Sequence, residues 1–307
     1  MQTLPNSLQR SIRKSRPDGI EYTPRSPHNN STINILAYAD DVVMLFESAA
    51  GLEELNTPFL EACSRLGLEC NPTKTKMMLM SRRNVIQGTI NIGDLEVESV
   101  SSFKYLGSTI TSDNEMNTEL KERIGTGSRC AYAFNSIMKS RNISRRTKVR
   151  VYNTVIRPTV LYGCETWTLT KERIRKLEVF ENGILRRILG PTFNPETNQW
   201  ERRHNEDIRR ITGQPLLSDV VRARRLRWAG HCARMNNQQL PKIAMNGTVR
   251  GRRPVGRPRY RWIDNVRKDV QKVAPDLLNW QDAAQNRRLW RGVVKAVMGP
   301  RAREPHE

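Results

Sequence analysis

The stretch Ile33-Asn34-Ile35-Leu36-Ala37-Tyr38-Ala39-Asp40-Asp41-Val42-Val43-Met44-Leu45-Phe46 sets two apolar runs around a pair of acids. Each run has strand-like content, and the acids interrupt them where a turn belongs. The pattern predicts a β-hairpin with Asp40 and Asp41 at its tip. Two neighbouring carboxylates repel each other and lose hydration when half-buried, so such a pair is unfavourable until a cation neutralises it. Mg²⁺ suits the position, because it is held by one or two carboxylates together with waters and substrate phosphates. Two surface acids in a turn are the plainer alternative, and an Asp-Asp dipeptide by itself favours it. The apolar strand on each side and Tyr38 just ahead favour cation binding.

Outward from the hairpin, Ser48 can cap a helix whose face is Leu52, Leu55, Phe59, Cys63 and Leu66, at steps of three and four. Pro58 inside that span predicts a kink or a later start, and Gly67 ends the helix. Strands are expected at Thr75–Met80, at Ile90–Ile92 and Leu95–Val97 around Gly93-Asp94, and at Phe103–Leu106 before Gly107. Upstream, residues 1–32 are polar, and Pro17–Asn30 reads as a connector. From about Asn114 the spacing turns helical, over 115–139, 145–163, 171–189, 200–212, 217–235, 260–273 and 279–297. Ile174, Leu177, Phe180, Leu185 and Ile188 form one apolar stripe, stopped by Gly190-Pro191. Leu217, Val221, Trp228, Cys232 and Met235 share a narrow sector, whereas Arg222, Arg224, Arg225, Arg227 and Arg234 surround it. That helix is expected to pack by one edge and show positive charge elsewhere. The run Arg250–Arg259 is too rich in Pro and Gly to be regular and too charged to be buried.

The 307 residues carry 52 Lys+Arg against 31 Asp+Glu, a net charge of +21. Residues 1–100 are net −2, residues 101–200 net +8 and residues 201–307 net +15. An excess of this size points to a polyanion, most often nucleic acid. No apolar run approaches the roughly 18–20 residues of a membrane span, and the first sixteen residues have no signal-like apolar core, so no membrane role and no secretion are expected. The five cysteines are scattered, odd in number and without a CxxC pair, which argues against a disulfide scaffold or zinc finger and for a reducing compartment. His231-Cys232 are adjacent on a helix and point about 100° apart, a poor ligand pair. Trp167, Trp228, Trp262, Trp280 and Trp290 are expected in the core rather than stacked on bases.

The central stretch Tyr38-Ala39-Asp40-Asp41 resembles the YxDD box of reverse transcriptases, and most closely that of non-LTR (LINE-type) retrotransposons. Gly67-Leu68-Glu69-Cys70-Asn71-Pro72-Thr73-Lys74-Thr75 resembles the next box, GLxxNxxKT. Phe103-Lys104-Tyr105-Leu106-Gly107 resembles the primer-grip box. Order and spacing agree. Leu161–Trp167, Leu226–His231 and Gly256–Trp262 look like the thumb and C-terminal segments of such elements. The similarity runs from about residue 1 to 270. It implies that Asp40 and Asp41 bind catalytic Mg²⁺ (or Mn²⁺), that Tyr38 sits near the primer end, and that Lys74 lies near the nucleotide phosphates. It also implies that Phe103, Tyr105 and Gly107 support the primer, while Arg252, Arg253, Arg257 and Arg259 are expected to contact nucleic acid.

A polymerase palm also needs an Asp from an earlier strand, a nucleotide-selecting loop and a fingers domain, which residues 1–32 do not supply. The expectation is therefore an α+β chain: a partial palm, with a small antiparallel sheet and helices, followed by a mostly helical thumb and C-terminal region. The domains expected are a remnant and connector at 1–32, palm at 33–112, thumb-like helices at 113–195 and basic helices at 196–307. The implied activity is RNA-directed DNA polymerisation by two-metal nucleotidyl transfer in a complete enzyme, absent from this chain alone, with RNA template and DNA primer as partners. A non-enzymatic nucleic-acid-binding module, or an inert relic of a mobile element, is the alternative. An intracellular location, nuclear or cytoplasmic, is expected.

Overall fold

The computed structural model describes residues 20–24, 31–33, 35–80, 88–92, 95–249, 256 and 260–299. These fall into two units, one within residues 1–115 and 235–258, the other within 116–234 and 259–307. The architecture is α+β, with short strands in the first unit and mostly helices in the second.

In the first unit, β1 (Ile20–Pro24) pairs antiparallel with β2 (Ser31–Ile33). The hairpin of β3 (Ile35–Tyr38) and β4 (Asp41–Met44) forms where the two apolar runs predict it. Helix α1 (Ala49–Arg65) follows, its first turn closed by the Ser48 hydroxyl accepting from the Gly51 amide at 3.1 Å. Phe59, Ala62 and Cys63 are its buried face, and Ile35 and Met44, partners across the hairpin, pack on them. The helix passes through Pro58 without interruption. The proline withholds an N–H from the carbonyl of Glu54, but the anchored face beyond it keeps the second half in line.

Three further ladders follow in this unit. The strand expected at Thr75–Met80 shrinks to β5 (Lys76–Met77), which lies parallel to β7 (Leu95–Ser99); β6 (Gly88–Ile92) runs antiparallel to β7. Strands β8 (Ser102–Tyr105) and β9 (Ser108–Thr111) form a separate hairpin.

The second unit begins with α2 (Asn117–Ala133), α3 (Asn135–Lys139) and α4 (Arg145–Val151). The single helix expected over 145–163 is broken: a π turn spans Tyr152–Ile156 before α5 (Arg157–Val160). Pro158 gives no N–H to the turn before it, and the widened turn accommodates the gap. The same turn buries Tyr152 and Ile156 completely. A 3₁₀ turn, Cys164–Thr166, leads to α6 (Lys171–Leu189), and Gly190, at φ +74°, ends that helix as its place in the sequence predicts. Strands β10 (Thr192–Asn194) and β11 (Gln199–Glu201) replace the expected start of a helix at 200, and α7 (Asn205–Thr212) follows.

Helix α8 (Leu217–Ala233) is central to this unit. It packs on α6, the 3₁₀ turn, α10 (Trp262–Val273), α11 (Trp280–Gln285) and α12 (Arg287–Val297). Between α8 and α10 in sequence, α9 (Leu240–Asn246) and β12 (Gly247–Val249) belong to the first unit, where β12 pairs with β1. The expectation that α8 packs by one edge is overturned. Leu217, Val220, Val221, Ala223, Leu226, Ala229, Gly230, Cys232 and Ala233 are all buried, and four of the arginines turn inward, Arg225 buried and Arg222, Arg224 and Arg234 half-buried, while Arg227 stays exposed. Arg225 donates to Asp269 at 2.7 Å. Arg222 donates to Asp219 at 2.6 Å, and Arg224 to the Leu161 carbonyl at 2.9 Å. Arg234, just beyond the helix, donates to the Ala284 carbonyl at 2.7 Å. Burial raises the Asp269 carboxyl and lowers the Arg225 guanidinium despite their mutual attraction.

Two apolar clusters flank Phe180. One joins Leu120, Leu161, Trp167, Leu177 and Val221, the other Met138, Tyr152, Leu185, Ile188 and Ile208. A buried polar group crosses the second: the Tyr152 hydroxyl donates to Glu181 at 2.6 Å, and Arg209 meets the other Glu181 oxygen at 2.7 Å. Trp167, Trp280 and Trp290 are buried. Trp290 donates its indole N–H to the Leu226 carbonyl at 2.8 Å, and the half-buried Trp262 donates to the Glu165 carbonyl at 2.7 Å. Cys164 is buried, which pushes its thiol up to about 11.

Gly230 lets the Trp290 indole lie on α8, since a Cβ there would overlap the ring. Gly230→Ala should destabilise the protein by about 1–3 kcal/mol in urea unfolding. By contrast, Gly292→Ala, in open space on α12, should stabilise it by roughly 0.4–1 kcal/mol. Arg225→Ala should cost up to about 3–5 kcal/mol, since Asp269 stays buried with only the more distant Arg222 guanidinium, 3.7 Å away, as counter-charge. The double substitution Arg225→Met with Asp269→Leu should recover most of that loss in the same measurement.

Candidate active site

The register of the first hairpin places Tyr38 opposite Asp41, so its turn is Ala39-Asp40. Ala39 has φ +52°, a conformation that favours glycine. The turn is therefore held in a strained form by the flanking ladder. Asp40, Asp41 and Tyr38 are all exposed at this end, while the opposite end is anchored on α1. The sequence thus delivers two adjacent carboxylates on a short, rooted support.

The loop after α1 is organised by Asn71. Its side-chain oxygen accepts from the Thr73 hydroxyl at 2.7 Å and the Lys74 amide at 3.1 Å, and its carbonyl accepts from the Thr75 amide at 2.9 Å. This turn explains the Asn–x–x–Lys–Thr spacing: the asparagine replaces missing backbone partners and leaves Lys74 exposed. The next strand is tied down by Lys76, which pairs with Glu98 across the parallel ladder at 2.6 Å.

Tyr105 and Ser108 face each other across the second hairpin, with Leu106 at φ +46° and Gly107 at φ +81° between them. Positive φ at both central residues is the type I′ pattern that matches strand twist, and it accounts for the glycine. Phe103 and Tyr105 lie on one face of β8, both half-buried, and Phe103 stands opposite Ile110. The Tyr105 phenol is raised above its ordinary value, first by burial and then by the negative charge of Asp41. The structure therefore brings Tyr105 into the field of Asp41.

Lys74 is exposed on its own loop, and no ion pair among the described residues joins it to Asp40 or Asp41. Arg252, Arg253, Arg257 and Arg259 lie outside the described residues. Among the described residues, no three His, Cys, Asp or Glu side chains gather as a metal site. Two exposed, adjacent carboxylates nevertheless fit a hexacoordinate cation that keeps several waters. No described helix is long and apolar enough to cross a membrane. The charge of Asp41 that weighs on Tyr105 comes from a segment more than sixty residues away and leaves no local signal in the sequence. Sequence reasoning missed this and the exposed Trp200.

Replacing Asp41 by Asn should lower the Tyr105 pKa, because the negative charge opposing phenolate formation is removed. Asp40→Asn should leave it in place. A ring-carbon NMR titration of selectively labelled tyrosine would read both shifts.

Residues 1–110 match the family model described as reverse transcriptase (RNA-dependent DNA polymerase). Over 278 residues the chain is 28% identical to an uncharacterized transposon-derived protein of Caenorhabditis elegans, covering 87% of this chain and 97% of that one. It is 23% identical over 193 residues to the RNA-directed DNA polymerase from mobile element jockey of Drosophila melanogaster, covering 59% of this chain. It is 21% identical over 168 residues to a protein of the same fly named as a probable RNA-directed DNA polymerase from transposon X-element, covering 51% of this chain. The matches span 21% and 18% of those two polymerases. No solved structure matches the chain. The Tyr-Ala-Asp-Asp hairpin thus lies inside a stretch similar to reverse transcriptases, and the similarity to transposon-derived proteins extends across the helices.

Proposed function

We propose that residues 33–112 are the part of a polymerase palm that presents metal-binding acids, and that the helices of 113–195 act as a thumb on a template–primer duplex. The observation that carries this reading is the pair of exposed carboxylates on a rooted hairpin. Asp40 and Asp41 would hold Mg²⁺ or Mn²⁺. Such cations, when bound, activate an attacking hydroxyl and stabilise a leaving phosphate oxygen. Tyr38, opposite Asp41, lies where the primer end would rest. Phe103, Tyr105 and the Leu106-Gly107 turn form a firm ledge for the primer strand. Lys74, held out by the Asn71 turn, offers an ammonium to nucleotide phosphates.

Two carboxylates from one hairpin do not complete a two-metal site, so a further acid must come from another segment of polymerase. The chain alone should not extend a DNA primer on an RNA template with Mg²⁺ or Mn²⁺. Fused in frame to an upstream polymerase segment, it should extend that primer, and Asp40→Ala should abolish the product. Extension by the chain alone would overturn the view that the site is incomplete. Extension surviving Asp40→Ala in the fusion would overturn the role of the acid.

The net +15 of residues 201–307 favours a second reading, binding without catalysis. Affinity for an RNA–DNA duplex should then fall steeply as salt rises. Deleting 250–261 should weaken it while leaving helicity intact. Affinity indifferent to salt would sink this reading.

A further inference from the structure

The hairpin of β10 and β11, in the helical unit, takes no part in the site above. Phe193 and Trp200 face each other across its ladder, on one side of the two strands. Their rings meet edge to face, with centroids 5.5 Å apart. Despite that contact Phe193 remains 46% exposed and Trp200 70%. Large aromatic side chains are rarely left so open, because burying them would remove about 25 cal/mol per Å² of apolar surface from water.

The hairpin is built to hold this pair in place. Arg203 donates to the Gly190 carbonyl at 3.0 Å and the Pro191 carbonyl at 3.2 Å, fixing the second strand to the chain entering the first. Arg186 of α6 donates to the Arg203 carbonyl at 3.1 Å and also to Asn205. On the opposite side of the ladder, Asn194 and Thr197 donate to Glu201 at 2.7 and 3.1 Å. Glu201 is the acid within the two strands, and it is engaged on the face away from the rings. Glu196 lies in the turn. Arg187 and Arg202 flank the hairpin and are exposed. Arg202 lies close enough to Arg186 for its charge to weigh on that guanidinium. An open indole on a braced hairpin, with exposed cations next to it along the chain, is the arrangement that binds single-stranded nucleic acid, with a base on the ring and phosphates on the arginines.

We propose that the Phe193–Trp200 hairpin is a stacking platform for an unpaired base of single-stranded nucleic acid, with Arg202 and Arg187 taking the adjacent phosphates. A duplex keeps its base faces stacked and offers none to an indole, so the platform discriminates unpaired strand from duplex. The neighbouring arginines favour this occupant over an apolar protein surface, which would leave them desolvated. The inference stands apart from the palm, since it requires neither Asp40 nor any polymerisation.

The test compares the full chain with Trp200→Ala, Phe193→Ala and Trp200→Tyr, binding a twelve-nucleotide oligothymidylate and an abasic strand of equal length. Trp200→Ala should weaken oligothymidylate binding about 10-fold and leave the abasic strand unchanged, while Trp200→Tyr retains most of the parent affinity. Unchanged oligothymidylate affinity in Trp200→Ala, or equal loss on both strands, would overturn the platform. So would an effect of Trp200→Ala confined to self-association in sedimentation, which would make the hairpin a contact between copies. A readout independent of the alanine variant is the fluorescence difference between parent and Trp200→Tyr, which isolates Trp200. That emission should be quenched on saturation with oligothymidylate, and its persistence would refute stacking.

Discussion

The helical unit depends on burying a helix that carries charge. Helix α8 runs through the middle of that unit, and Arg225 lies within it at 4% exposure. Its guanidinium must be met on the spot, and α10 meets it with Asp269. Burial shifts both partners toward their neutral forms, so desolvation outweighs their attraction, and the Arg225 Nε finds no hydrogen-bond partner. Such a pair does little for net stability. What it does is exclude other registers: sliding or rotating α8 against α10 would strand two charges in the interior. The carbonyl contacts of Arg224 and Trp290 fix the same helix from two other directions.

Much of the first unit is legible residue by residue. The paired apolar runs specify the hairpin, Ser48 starts α1, and Gly107 fits the positive-φ turn it occupies. These are local effects, decided within a few residues. The failures share a different cause. The arginines of α8 look like a solvated face because sequence does not show Asp269, Leu161 and Ala284 coming to meet them across forty to sixty residues. Pro58 looks like a helix break because the anchoring of Phe59 and Cys63 on the hairpin is tertiary. At Pro158, inside the single helix expected over 145–163, the backbone accommodates the missing N–H with a π turn. Within the candidate site, the acids and Lys74 can be read from their motifs, whereas the coupling of Asp41 to Tyr105 belongs to the packing alone.

The charge distribution also changes meaning once the side chains are placed. The excess after residue 100 is not a uniform coat. Arg157, Arg203, Arg209, Arg224, Arg225 and Arg234 spend their donors on carbonyls, amides and carboxylates of the same unit. Planar, multidentate guanidinium suits such internal bracing, which explains why arginine outnumbers lysine there. The cations left to face solvent, Arg187 and Arg202 among them, are fewer than the composition suggests. Position therefore matters more than net charge in deciding where a polyanion rests.

The chain leaves the helical unit after α8, contributes α9 and β12 to the other unit, and returns only at residue 259. On a ribosome this fixes an order of events. Helix α8 emerges well before α10, α11 and α12 exist, with Arg225 unmatched and the groove beside Gly230 empty. The nascent helical unit must wait, partly open, for roughly its last forty residues. A chain released early would expose an apolar helix studded with unpaired charge, the kind of surface that chaperones and proteases recognise. Synthesis through α12 is thus a structural requirement of the helical unit, imposed by the route of the chain.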